Sequence, residues 1–181
     1  MGKDRFLFGP PVTRLEGDAL RTFLSMFGSE ALHDFFRLWR ALVRDGRVPA
    51  RSEMTPHYLR AHLPAMGIIE RILPADEVQI RLMGTRLTDL LGREGRGRLL
   101  RELMPRANAA EMMTRVWQPF FEGVVPRLDI GSLHMLGRSH LRYRTLHLPV
   151  ADGEGRVRFS YFRAVTNIDA DAGFGDDADR L

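Results

Sequence analysis

Residues 66–97 read MGIIERILPADEVQIRLMGTRLTDLLGREGRG. Two apolar runs, Met66 to Leu73 and Glu77 to Met83, flank Pro74-Ala75-Asp76, whose residue types suit a turn, so the pair predicts a β-hairpin. After Gly84 the pattern changes. Thr85 to Leu91 and Arg98 to Met104 predict short helical pieces, divided by Gly92, Gly95 and Gly97.

Upstream, Ser29 to Asp45 sets Leu32, Phe35, Phe36, Trp39, Leu42 and Val43 at three- and four-residue steps, with charged residues between them. This predicts an amphipathic helix that Ser29 can cap and Gly46 stops. Asp18 to Phe27 carries a shorter version of the pattern in Leu20, Phe23, Leu24 and Phe27, ended by Gly28. Thr55-Pro56 reads as a cap and a first-turn proline, so a short helix is expected before Pro64. Downstream, Asn108 to Glu122 predicts a longer helix with Met112, Met113, Val116, Trp117, Phe120 and Phe121 on one broad face. Pro119 interrupts its donor ladder. Three strands follow, roughly Arg127 to Leu136, Ser139 to Val150 and Arg156 to Ile168, with turns at Gly137-Arg138 and around Gly153. The order is two strands, several small helices, then three strands. The fold class is α+β.

The length of 181 residues suits one domain with an extension, and 44% hydrophobic with 28% charged residues is ordinary for a soluble globular protein. There is no cysteine, which excludes disulfides, thiolate nucleophiles, cysteine-ligated zinc, iron–sulfur clusters and thioether-linked cofactors. The apolar piece Phe6 to Phe8 is far too short for a signal core or a membrane span, so a cytoplasmic location with no membrane association is the default expectation. From Asp169 onward five aspartates face Arg180 alone, a tail of charge −4, so the remainder carries +8 within the total of +4. Much of that excess lies in Arg86, Arg93, Arg96, Arg98, Arg101 and Arg106. A nucleic-acid role for this stretch is disfavoured against a solvated polar face, because no aromatic or amide side chains interleave the arginines.

The element order and several local motifs resemble an alphaproteobacterial family of PAS domains (PAS_5-like), often labelled as a domain of unknown function. The likeness runs from Trp39 to about Ile168. It rests on Trp39 followed by Arg47-Val-Pro-Ala-Arg51, on Pro56, on Leu63-Pro64, on Ile80-Arg-Leu-Met-Gly-Thr85, on Leu90-Leu-Gly92 and Gly97, and on Tyr143 through Leu148-Pro149. Where this chain has Thr55, the family usually has an acid, and an N-cap function survives that change. The resemblance implies a PAS fold: a five-stranded antiparallel sheet with small helices on one face, here with an N-terminal helical extension. The corresponding division is extension 1–53, PAS core 54–168 and an acidic, disordered tail 169–181. The leading expectation for function is a stand-alone sensory module, not an enzyme, that signals by touching another protein.

Cofactors are not expected. Flavin-adduct and chromophore-ester chemistry both need cysteine, and the longest helix offers no histidine as a haem ligand. The histidines also fail as a metal set: His57 and His62 diverge by about 140° on a helix, and His134 and His147 share a face roughly 20 Å apart while His140 faces away. No nucleophile elbow surrounds any serine and no paired-carboxylate motif appears, so no catalytic residue is assigned. A buried Asp/His pair would favour an alternative reading as a small enzyme with a cone-shaped α+β pocket, Asp89 and Asp129 being the acids placed to be considered.

The long-helix face can be a plain filled core or a methionine-lined cavity for a small apolar or anionic ligand. Met112, Val116, Trp117, Phe120, Tyr143, Tyr161 and Arg163 are the candidate ligand contacts, with Arg163 requiring an anion from either the protein or a ligand. The expected sheet face toward that helix comprises Leu128, Ile130, Leu141, Tyr143 and Thr145 beside Phe159, Tyr161, Arg163 and Val165. The wide apolar surface of the N-terminal helices predicts that they cover the other sheet face and also build a homodimer through Phe23, Phe27, Leu32 and Phe36.

Overall fold

In the computed structural model, which describes residues 4–103, 110–133 and 137–169, the hairpin at the centre of the sequence argument forms as β2 (Met66–Ile72) and β3 (Glu77–Met83). They pair antiparallel with Ile72 opposite Glu77. Gly84 then leads into α3 (Thr85–Leu91). Its backbone is ordinary extended chain, so conformational freedom is not why glycine stands there. A Cβ at this position would lie 2.2 Å from the Leu63 carbonyl oxygen. Gly84 is itself the N-cap, and Thr85 is the first helical residue. At the other end Gly92 adopts φ 68° and closes α3 as a left-handed cap.

Before the hairpin come β1 (Arg5–Phe8), α1 (Gly17–Ser25) and α2 (Glu30–Leu42). After it come α4 (Leu100–Leu103), α5 (residues 110–123), β4 (Arg127–Leu133), β5 (Arg138–Ala151) and β6 (Val157–Thr166). Within α5 the segment Met113–Trp117 is a π-turn. Pro119 has no N–H to give, and the wide turn immediately ahead of it takes up the break. The expected helix at 56–63 is instead a series of turns, in which Thr55 Oγ1 still accepts from the Tyr58 N–H at 3.2 Å.

Among the described residues the strands form one antiparallel sheet of six in the order β1-β4-β5-β6-β2-β3. The expectation of five strands is corrected by β1, which lies along β4 with Arg5 opposite Ile130 and Phe8 opposite Arg127. Four residues are too few to show alternation, which is why the sequence pattern does not reveal it.

The sheet is covered on both faces. One face meets α1 and α2 through Phe23, Phe27, Leu32, Phe35, Phe36 and Trp39, which pack on Leu128, Leu146, Leu148, Val150, Phe159 and Tyr161. Each such side chain removed from water contributes roughly 1.5–3 kcal/mol. The other face meets α3, α4 and α5 through Leu87, Trp117, Phe120 and Phe121 against Ile69, Val78, Ile80 and Phe162. Trp39 ties α2 to the central strand by donating its indole N–H to the Pro149 carbonyl at 2.8 Å. Pro149 shares its side of β5 with Ala151, which bonds Pro49 and Arg51, beyond the point where β4 ends opposite His147. The missing proline N–H therefore costs the ladder nothing.

Two expectations fail on this architecture. Phe23, Phe27, Leu32 and Phe36 are at most 4% exposed within one chain, so they cannot supply the surface of a homodimer. What α1 and α2 leave accessible is a groove lined by Leu20, Leu24 and His33 beside Arg37 and Arg40. Second, Tyr161 and Arg163 face α2 rather than α5, together with Phe159, Val165, Leu128 and Ile130, because Leu146 pairs with Arg163 and Leu148 with Tyr161. Tyr143 and Thr145 do lie on the α5 face, opposite Gly131 and Asp129. A strand covered on both faces alternates between two interiors, and polarity then misleads about which is which.

Candidate functional site

The face beneath α5 collects polar residues from three neighbouring strands. Arg127 and Asp129 on β4, His147 on β5 and Ser160 on β6 are all buried, Arg127 and Ser160 completely. Arg127 and Asp129 are two residues apart on one strand and so share a face. Arg127 Nε donates to Asp129 Oδ1 at 2.7 Å and Nη2 to Oδ2 at 3.0 Å, a two-pronged pair. The guanidinium also stands 4.2 Å from the centre of the Trp117 ring. Cation and anion cancel within the cluster.

His147 Nε2 lies 3.2 Å from Asp129 Oδ2 and Nδ1 lies 3.0 Å from Ser160 Oγ. A carboxylate only accepts, so Nε2 carries the proton and the bare Nδ1 accepts from the Ser160 hydroxyl. The ring stacks on Phe162 at 5.2 Å and meets Trp117 edge-on at 5.4 Å. Burial, reinforced by the nearby Arg127 charge, pushes the imidazole down to about 4, so it is neutral at ordinary pH. Burial opposes the charge on Asp129, but Arg127 and His147 outweigh it and hold the carboxyl below its usual range.

Of the candidate ligand contacts, the structure brings Val116, Trp117 and Phe120 together above this network, buried, with Met112 half-buried on the same helix. The Trp117 indole N–H is enclosed and has no acceptor among the described residues. Tyr143 lies at the edge of the network, its phenol raised by burial and by Asp4 and Asp129. Tyr161 and Arg163 lie on the far side of the sheet and belong to a different environment. Sequence reasoning missed Arg127, His147 and Ser160 as a unit. Their odd and even positions fall into one face only once the register across three strands is fixed.

Among the described residues no group of three or more His, Asp or Glu is placed to hold a metal ion, and no helix is long and apolar enough to cross a membrane. The family model described as PAS domain matches residues 27–160, from just after α1 to the start of β6. The chain belongs to the PAS domain family. A solved structure entitled an RNA-binding light-oxygen-voltage receptor is similar at 16% identity with a TM-score of 0.43. That likeness covers 65% of this chain and 35% of the receptor chain. A search among curated proteins finds no match.

Proposed function

We propose that this PAS domain is a non-enzymatic sensory module, acting in the cytoplasm through contact with a signalling protein and with a second copy of itself. Its input is read in the space between α5 and the sheet. The observation that carries this reading is the enclosed indole N–H of Trp117, a donor that no described residue meets, beside a polar network that is otherwise paired. A buried donor without a partner costs about 1–3 kcal/mol, and a small molecule with an acceptor group would recover it. Because Arg127 and Asp129 neutralise each other, that molecule needs no charge. Met112, Val116, Phe120 and Tyr143 supply its apolar and aromatic surroundings.

The order Ser160, His147, Asp129 is that of a nucleophile, its base and an orienting acid, and it is the buried Asp/His pair that an enzymatic reading requires. Ser160 is 0% exposed and lies within a paired strand, out of reach of an acyl substrate. The line is better suited to hold β4, β5 and β6 in register. Native mass spectrometry of the full chain purified from its own host tests the sensory reading. The expected result is a bound small molecule that is lost in Trp117→Ala. A chain found only at its bare mass overturns the ligand, and light scattering at tens of micromolar that reports a monomer overturns the dimer.

A further inference from the structure

On the opposite sheet face, Arg163 is half-buried between Leu146 and Met66 beneath α2. Its Nε is buried with no hydrogen-bond partner among the described residues, and Nη1 makes one long contact, 3.4 Å, to the His62 carbonyl. The acids that act on it from farther off are occupied: Asp169 by Arg86 and by the Thr166 N–H and hydroxyl, Asp34 by Arg37. No carboxylate among the described residues comes within ion-pair distance of Arg163. Beside it the His62 ring is 5% exposed, packs on Phe35 at 5.3 Å and leaves Nδ1 buried and unpartnered. Two enclosed nitrogens thus lie in neighbouring side chains where the described residues supply no anion. Neutral histidine can place its single proton on Nδ1, which adds one N–H to those of the neighbouring guanidinium.

The geometry points to an oxyanion site between Arg163 and His62, under α2, that takes the carboxylate or phosphate group of a small molecule. It is separate from the space beneath α5, and it stands or falls independently of the reading given above. A guanidinium that is partly desolvated and unpaired gains most from a planar two-oxygen partner. The nearby Arg86, itself paired with Asp169, adds positive potential at Arg163.

The test follows the Arg163 Nε–H signal by nuclear magnetic resonance in the full chain, assigned by its disappearance in Arg163→Lys. Inorganic phosphate and acetate are titrated separately against chloride at matched ionic strength. The expected result is a saturable shift with one or both oxyanions and none with chloride, the tighter of the two naming the class. In variants of Arg163, which lack that signal, binding is read from the backbone amides of β6: Arg163→Gln should weaken it about 10- to 100-fold, the worth of hydrogen bonds to a charged group, and His62→Phe should weaken it less. If Arg163→Gln does not fold, Arg163→Lys, which keeps the charge and loses the fork, serves in its place and should still weaken binding several-fold. No saturable shift, a shift unchanged in His62→Phe, or an experimental structure with a protein carboxylate on Arg163 overturns the site.

Discussion

Two arginines stand on opposite faces of one sheet, and they differ in a single respect that decides what each is for. Arg127 has its counter-ion built in two residues along the same strand, with Asp129 gripping the guanidinium in two places. Arg163 has Tyr161 and Val165 at the corresponding positions and, among the described residues, only a backbone carbonyl within reach. A buried charge that carries its own partner is part of the scaffold, since its desolvation is already offset. A charge without one is held at a standing cost, which makes sense where something arrives to meet it.

The sharpest way to break this contrast is to remove Asp129. Asp129→Ala leaves Arg127 charged, unpaired and fully enclosed, and should destabilise the fold by about 3–5 kcal/mol in denaturant titrations. Arg127→Met should cost a similar amount, while Arg127→Met combined with Asp129→Leu should recover most of it. Two single variants that cost under about 1 kcal/mol would mean that the pair is not the scaffold element described here.

Next in size is the effect of pH. The imidazole of His147 ionises near 4 in the folded chain against 6.5 when exposed, so the unfolded chain takes up the proton first. Stability is therefore complete above about pH 6.5 and drains away as the pH falls to about 4, by up to about 3 kcal/mol. His62, held near 4 by burial and by Arg163, adds to the loss over the same window. Asp129, held below its ordinary value, adds to it at still lower pH. His147→Gln should flatten part of this slope; an unchanged profile would place the acid sensitivity elsewhere.

A smaller effect with the opposite sign is expected on the other face. Without added oxyanion, Arg163→Met should be neutral to about 1 kcal/mol more stable, because it deletes an unpaired, partly buried charge rather than half of a pair. A clear destabilisation would show that Arg163 has a protein partner in solution. Smallest of all is Ser29→Ala at the start of α2. Ser29 occupies the N-cap position, but its hydroxyl bonds no described residue, so the customary loss of about 1 kcal/mol for a cap should shrink to under about 0.5 kcal/mol by thermal unfolding.

Most of the architecture is legible in the sequence, because it rests on local signals. The hairpin at 66–83, the glycine cap after α3, the amphipathic α2 and the three closing strands all appear within a few residues of their expected places. The likeness that joined Trp39 to Leu148-Pro149 in sequence becomes one hydrogen bond in space. What could not be read was the assignment of faces. On β6, Phe159, Tyr161, Arg163 and Val165 look like the lining of a ligand space and Ser160 looks like an outward residue. Both sides are interior, and the polar side is the one beneath α5. The apparent surplus of aromatics on α1 and α2 was likewise no surplus, since one chain's own sheet absorbs Phe23, Phe27, Leu32 and Phe36. Such errors arise wherever a strand has no solvent side to anchor its pattern.

The π-turn in α5 bears on how that helix can line anything at all. Met112 and Phe120 are eight residues apart, which in a regular α-helix would rotate them about 80° from each other, and Phe121 would stand near 180°. Six large apolar residues would then wrap half the cylinder. One turn wound at more than four residues takes back roughly that angle, because it inserts a residue without advancing the face. Met112 and Phe120 are thereby brought to one side, and both contact the same core. Loss of a single residue between positions 113 and 117 would swing the methionines away from the sheet while Phe120 and Phe121 stayed in place. The spacing of this helix, counted in degrees rather than residues, leaves no room for a one-residue deletion.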